Sequence, residues 1–149
     1  MKALIKSTIL IVVTSLVLPS CVSIQTSPVS GNKRAYGYSW EQELQIGKDA
    51  DSEIIAQYGL YDDEELSNYV NELGQELLRV SHFNREDTPS EYRNTDFTFR
   101  VLASPVVNAF ALPGGYVYVT RGLLAHLENE AQLMVVLGHE IGHGNRRHA

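Results

Sequence analysis

The sequence has a single cysteine, Cys21, among its 149 residues. No disulfide bond can therefore form within the chain, even in an oxidising compartment. Basic residues are also scarce, since 12 Lys and Arg stand against 18 Asp and Glu, for a net charge of −6. Proteins that bind phosphate backbones need clustered Lys and Arg, and the longest basic run here is Arg146-Arg147. We therefore expect no nucleic-acid partner.

Long hydrophobic runs are absent as well. The longest uncharged apolar stretch runs from Ser7 to Leu18, directly after Lys2 and Lys6. A membrane-spanning helix needs about 20 apolar residues, so this stretch is too short to span and instead fits the hydrophobic region of an export signal. A buried core helix or a signal anchor are the alternatives. We predict a signal peptide over residues 1–20.

The end of this segment, Leu18-Pro19-Ser20-Cys21, resembles the lipobox of bacterial lipoproteins, in which the cysteine is acylated. The resemblance implies lipidation of Cys21, and two acyl chains hold a protein stably at a membrane. Val22, rather than Asp, follows the cysteine, which resembles the default route to the outer membrane in Gram-negative bacteria. We expect a lipoprotein on the periplasmic face of the outer membrane, with a soluble periplasmic protein as the alternative.

The remaining composition, 44% hydrophobic and 20% charged, fits one globular domain. Residues 21–39 are rich in Ser, Thr, Gly, Pro and Asn, which indicates a flexible tether. Residues 40–149 then form the folded domain. Apolar residues at helical spacing predict a helix from Trp40 to Tyr58, closed by Gly59. A second amphipathic helix follows, with Asp62 as its cap and Glu65 completing a capping box.

The periodicity changes after a polar loop over residues 82–94. Phe97, Phe99 and Val101 alternate with polar residues, as in a half-buried strand. Two more strand-like runs, 106–112 and 116–120, flank the turn-forming triplet Pro113-Gly114-Gly115 and predict an antiparallel hairpin. Its open backbone could pair with an extended peptide as an added strand, although a purely structural hairpin fits the spacing equally well. The expected fold class is α+β, with two leading helices and a small antiparallel hairpin sheet.

The last predicted helix begins at Asn129, a cap residue, and carries His139, Glu140 and His143. Residues four apart on a helix lie about 40° apart around its axis, so the two imidazoles can reach one cation. Glu140 lies about 100° from His139 and about 60° from His143, which places it beside the cation without ligating it. Gly142 in the helix interior suggests that another segment packs closely there.

This His-Glu-x-x-His pattern is typical of zinc hydrolases. Zinc lowers the pKa of a bound water toward neutrality, and a neighbouring carboxylate can act as general base. We predict His139 and His143 as zinc ligands and Glu140 as the catalytic base. In the competing interpretation the histidines are incidental and the chain is a structural lipoprotein.

Several further motifs resemble one family, the zinc metallopeptidases of family M48, which includes the CAAX prenyl endopeptidases. The resemblance extends from about Trp40 to Ala149, and the arrangement is most similar to the periplasmic branch of β-barrel-assembly-enhancing proteases. The motifs that carry it are Asn108-Ala109-Phe110-Ala111-Leu112-Pro113-Gly114-Gly115, Thr120-Arg121-Gly122-Leu123, Asn129-Glu130-Ala131, Val136-Leu137-Gly138-His139-Glu140-Ile141-Gly142-His143 and Arg147-His148.

The resemblance implies a gluzincin, with one Zn²⁺ held by His139, His143 and a Glu from a later helix. We expect that Glu beyond residue 149, which makes this chain an N-terminal fragment of a longer metallopeptidase domain. His148 points about 140° away from His143 and is not expected to replace it, and neither are His82 and His126. The resemblance also places a substrate cleft along residues 108–115, with five binding residues: Asn108, Ala109, Phe110, Gly114 and Gly115.

The function that follows from these expectations is zinc-dependent cleavage of misfolded or misassembled envelope proteins. The implied partners are unfolded protein substrates, the membrane through the lipid anchor, and the outer-membrane β-barrel assembly machinery. The alternative is a non-proteolytic assembly factor or chaperone that holds β-barrel precursors on the same hairpin.

Overall fold

A computed structural model describes residues 23–27 and 32–146 of the chain. The predicted signal peptide, the lipidation residue Cys21 and His148 lie outside these ranges. None of the helices formed by the described residues has the length and apolar character needed to cross a membrane. The elements in chain order are β1 (Ser23–Thr26), β2 (Lys33–Tyr36), α1 (Trp40–Tyr58), α2 (Glu64–Val80), α3 (Ser90–Arg93), β3 (Thr98–Leu102), β4 (Ala109–Leu112), β5 (Tyr116–Thr120), α4 (Arg121–Leu124) and α5 (Glu130–Arg146).

Two short strands lie in the region that the composition indicates as a tether. β1 pairs antiparallel with β2, and Ser23 lies opposite Tyr36. Their residues are mostly polar and none is buried, so hydrophobic periodicity gives no sign of the pairing.

The helix ends follow the capping chemistry of the sequence. Ser39 caps α1 through a reciprocal capping box with Gln42, and the predicted closing residue Gly59 has φ 69°. α2 starts one residue later than predicted. Its cap is Asp63, whose carboxylate accepts a hydrogen bond of 2.9 Å from the amide of Leu66. Asp63 is the cap because its side chain reaches the amide of Leu66, three residues further on in the first turn of the helix.

The polar loop after α2 contains two short helical segments. A 3-10 turn covers His82–Asn84, and α3 follows after Pro89. Both are too short for a periodic pattern to reveal, and they bury Phe83 and Tyr92 against the core.

The three-stranded sheet is mixed, whereas the sequence predicted only its antiparallel hairpin. β4 and β5 form the predicted antiparallel hairpin, but β3 runs parallel to β5, in the order β3-β5-β4. Apolar alternation specifies which face of a strand is buried and not which neighbour it pairs with. The connection over residues 103–108 leads from β3 to β4, which do not pair with each other. The chain then turns back, and β5 lies between these two strands.

Each face of this sheet packs against different helices. Val117 and Val119 on β5 join the hydrophobic core together with Val70 of α2 and Leu137 of α5. The opposite face carries Tyr118, which is fully buried. The sheet is therefore covered by α2 and α5 on one side and contacts α1 on the other.

A buried polar network joins α1 to that second face. Asp51 of α1 is only 8% exposed and accepts two hydrogen bonds from Arg100 of β3, of 2.9 and 3.0 Å. The Tyr118 hydroxyl donates a third, of 2.6 Å, to the same carboxylate. Both oxygens of the carboxylate are thus satisfied, as a buried charge requires.

A close backbone approach fixes α1 against the hairpin turn. A Cβ atom added at Gly47 would overlap the carbonyl oxygen of Pro113. The turn itself needs the two following glycines, because Gly114 and Gly115 have φ of 81° and 93°. In this left-handed region a side chain is strained, so both the turn and its seat on the helix depend on glycine.

We expect Gly47→Ala to lower the free energy of unfolding by about 2 kcal/mol or more, because the added methyl group must push α1 away from Pro113. Gly138→Ala in α5 is the matched control. No atom of the described residues lies within 4 Å of the place that its methyl group would take, so alanine should stabilise by about 0.5–1 kcal/mol through helix propensity. Urea unfolding of both variants measures the difference, and equal midpoints would contradict the close approach.

We expect Tyr118→Phe to lower the free energy of unfolding by about 1.5–3 kcal/mol, since it removes a hydrogen bond to a charged group. Burial, followed by the hydrogen bond to Asp51, raises the pKa of Tyr118 above its ordinary value of 10.0. The stability that the neutral hydroxyl contributes is therefore complete below pH 10 and decreases as pH rises above 10. Thermal unfolding at pH 8–11 should show a flatter alkaline decline in the variant; parallel curves would refute this.

Candidate active site

Helix α5 places the two predicted zinc ligands side by side. The Nε2 atoms of His139 and His143 lie 2.9 Å apart, and their ring centroids are separated by 4.6 Å at an interplanar angle of 77°. Both side chains are exposed. The helix brings them together because it continues without a break through the motif, so that residues one turn apart stack on the same face.

Glu140 lies between the two histidines in sequence but turns toward the interior. It is half-buried, and together with His143 it borders a cavity of about 240 Å³. The carboxylate therefore lies at the border of this cavity, and the role of Glu140 as a base stays a prediction.

The histidine pair fits a zinc ion. Two imidazole nitrogens around a tetrahedral zinc ion, each about 2.0–2.1 Å from the metal, lie roughly 3.3 Å apart. The observed 2.9 Å separation needs only a small adjustment to reach that value. Nitrogen donors from histidine also match the ligand preference of zinc. His139 and His143 can therefore supply two of its ligands.

A third ligand is not found in the part of the chain that the structure describes. Within residues 23–27 and 32–146, no three His, Cys, Asp or Glu side chains converge in a way that could hold a metal ion. His82 instead contacts Arg85 at 3.5 Å, and the Nδ1 atom of His126 lies 2.7 Å from the carbonyl oxygen of Gly122. Neither histidine lies with the pair in the structure.

The close packing expected at Gly142 is not provided by the described residues and stays a prediction. A methyl group at this position would meet no atom within 4 Å among the described residues. Among the described residues, the close approaches to helical glycines occur at Gly47, Gly74 and Gly122. Glycine in a helix interior signals room beside the backbone, but the described neighbours of α5 do not use it here.

The turn of the hairpin forms one wall of the cavity. Gly114 and Gly115, two of the predicted substrate-binding residues, line it together with Ala111 of β4, opposite Glu140 and His143. The sequence separates these two groups by about 25 residues. Their meeting follows from the packing of α5 against β4.

The other three predicted substrate-binding residues do not line the cavity. Asn108 is exposed and its backbone pairs with Thr120, Ala109 packs against the core, and Phe110 stacks on Tyr118 at 4.9 Å on the α1 side of the sheet. Their binding role remains a prediction, since an extended peptide would meet the backbone of this strand before its side chains.

Strand β4 forms one edge of the three-stranded sheet. The amide of Thr120 donates to the carbonyl oxygen of Asn108, at 3.1 Å, so Asn108 directs its backbone toward β5. Because hydrogen bonding alternates along an antiparallel pair, Ala109 and Ala111 direct their N–H and C=O groups away from β5. This edge can accept another strand in extended conformation.

The floor of the cavity consists of residues that the sequence does not predict as part of a site. Trp40, Phe83 and Phe97 are buried there, although 57 residues separate the first from the last. Their spacing carries no periodic signal for a shared site. Glu130, at the start of α5, accepts a 2.5 Å hydrogen bond from Tyr69 of α2 and so links two helices, which the sequence also does not reveal.

Several known proteins are similar to this chain in sequence. A β-barrel assembly-enhancing protease of Escherichia coli is 35% identical over 126 residues, which cover 85% of this chain and 24% of that protein. A protein of the same name from Yersinia pestis is 33% identical over 121 residues, covering 81% and 23%. The mitochondrial metalloendopeptidase OMA1 of Schizosaccharomyces pombe is 30% identical over 125 residues, covering 82% and 34%.

These relatives are much longer than the present sequence, which spans about a quarter to a third of their lengths. The model of peptidase family M48 matches residues 65–149, which include the hairpin and the whole histidine motif. This match covers more than half of the sequence, and the chain therefore belongs to peptidase family M48.

Proposed function

We propose that this chain supplies the catalytic helix and the substrate-binding hairpin of a zinc-dependent metalloendopeptidase of the gluzincin type. The observation that carries the proposal is the position of Glu140 beside the His139–His143 pair, on the border of a cavity that the edge strand β4 also reaches. Zinc ligands, a base and a peptide-binding edge are thus adjacent. Membership of family M48 and the names of the relatives support the same activity.

Each part of the site has its own task in this proposal. The outward backbone groups of Ala109 and Ala111 pair with an extended substrate and align its peptide bond beside α5. His139 and His143 hold zinc, with a carboxylate from outside the described residues as the third ligand. Zinc, when bound, supplies a Lewis acid that activates water and polarises a carbonyl group. Glu140 accepts a proton from the attacking water at its carboxylate and donates a proton to the leaving amine.

The proposed substrates are misfolded or misassembled proteins of the bacterial envelope. An edge strand pairs with a chain in extended conformation. An unfolded protein offers such segments along its whole length, whereas most folded domains cover or shorten their free edges. The export signal over residues 1–20 and the lipobox at Cys21 support a location on the periplasmic face of the outer membrane. The names of the bacterial relatives support the β-barrel assembly machinery as a partner.

A second candidate function is assembly without proteolysis. The same β4 edge could hold a strand of a β-barrel precursor while it awaits its neighbours, with no bond cleaved. This function needs the hairpin and not the carboxylate of Glu140. The two functions can therefore be separated by one substitution.

We expect Glu140→Gln to lower the cleavage rate of unfolded casein by the zinc-loaded full-length protein about 10²- to 10⁴-fold, because glutamine cannot accept the proton. Equal rates in the two proteins would refute the peptidase. In the same variant, envelope integrity of a deletion strain measures the assembly function. Loss of integrity is expected if proteolysis is the function, and full rescue would favour the assembly factor.

We expect His143→Ala to reduce the zinc content of the purified full-length protein from one ion per chain to well below one, since a nitrogen ligand is lost. Glu140→Gln is the matched control and should retain stoichiometric zinc, because Glu140 is not a ligand in this proposal. Elemental analysis after dialysis gives the ratio. A His143→Ala protein that keeps one tightly bound zinc ion would contradict the ligand assignment.

A further inference from the structure

We propose that the cavity beside Glu140 and His143 is a specificity pocket for one large apolar side chain of the substrate, aromatic or branched aliphatic, next to the bond that is cleaved. The proposal rests on the proposed peptidase function and adds the class of residue at which cleavage occurs. Its main determinants are Trp40, Phe83 and Phe97 at the floor and Ile46 at the rim.

The floor of the cavity presents carbon and almost no polar atoms. Phe83 and Phe97 meet edge to face, with ring centroids 4.7 Å apart. The Trp40 indole nitrogen donates to the carbonyl oxygen of Glu91 and to Thr95, at 3.1 and 3.2 Å. Its polar atom is therefore engaged on the far side. An apolar side chain of a substrate gives up no hydrogen bonds to water when it enters the cavity. A carboxylate or ammonium group would lose its hydration.

The size of the cavity fits one side chain. An apolar cavity of about 150 Å³ in a protein core holds a benzene molecule. The volume here, about 240 Å³, is large enough for a benzyl group or a branched aliphatic chain. Small side chains would leave it partly empty and forgo most of the burial energy.

The position of the cavity connects it to the reacting groups. Ala111 of β4 forms one wall, and Glu140 and His143 border the other. Ala111 shares its face of the sheet with Val117, on the side that α5 covers. A peptide paired with β4 points alternate side chains to that face, so one of them enters the cavity while its main chain lies beside Glu140.

Ile46 offers a way to alter the pocket without touching the reacting groups. It lies on α1 at the rim of the cavity and is 40% exposed, so a larger residue is tolerated there. Leu60 provides the matched control, since it is 46% exposed and does not line the cavity. Replacement of either by tryptophan adds similar bulk.

The test uses the zinc-loaded full-length protein and four peptides that differ at one position beside the cleaved bond, with Phe, Leu, Ala or Asp. We expect kcat/KM for the Phe and Leu peptides to exceed that for the Ala peptide by about 10-fold or more, and the Asp peptide to be the poorest. Ile46→Trp should reduce this preference at least several-fold, while Leu60→Trp should leave it unchanged. Equal kcat/KM for all four peptides would overturn the pocket.

A binding measurement separates the failure of the pocket from the failure of the peptidase. Trp40 forms part of the floor, so a bound Phe peptide should change its fluorescence in the Glu140→Gln protein, and Trp40→Phe should remove that change. Selective binding without any hydrolysis by the wild-type protein would support the pocket and refute the peptidase. Hydrolysis without preference, or binding that does not affect Trp40, would refute the pocket alone.

Discussion

The rest of the site depends on the close backbone contact between the hairpin turn and α1. At Gly47 the helix has no side chain, and the carbonyl group of Pro113 occupies the space that a methyl group would take. The turn is thereby held between α1 and the strand ends, with Gly114 and Gly115 buried. Because the turn is one wall of the cavity, a shift of α1 would change the distance between that wall and α5. The leading helix is thus part of the site although it carries none of the histidine motif.

The two faces of the sheet hold their helices by different interactions. On the core face, apolar side chains pack α2 and α5 against the strands, and α5 in turn displays its histidines at the surface. On the other face, Asp51 ties α1 to β3 and β5 through directional hydrogen bonds. Helix α5 is thus positioned mainly by apolar packing. Helix α1 is positioned by the buried hydrogen bonds of Asp51 together with the close approach at Gly47.

Several local features of the structure were predictable from the sequence, and the long-range contacts were not. Gly59 as a helix end, the left-handed glycines of the turn and the stacking of His139 on His143 each depend on a few neighbouring residues. The parallel pairing of β3 with β5 and the meeting of Trp40 with Phe97 depend on chain crossings that no residue pattern encodes. The sequence likewise could not show which side chains of β4 face the cavity, because their surroundings come from distant segments.

The bidentate contact of Arg100 with Asp51 also protects the alignment of the strands. Arg100 lies opposite Tyr118 in the parallel pair, and the same carboxylate binds both. If β3 slipped by one residue along β5, every side chain of β3 would change faces, and the guanidinium group would enter the hydrophobic core without a counterion. A slip of one residue is therefore excluded by the cost of burying a cation without a counterion.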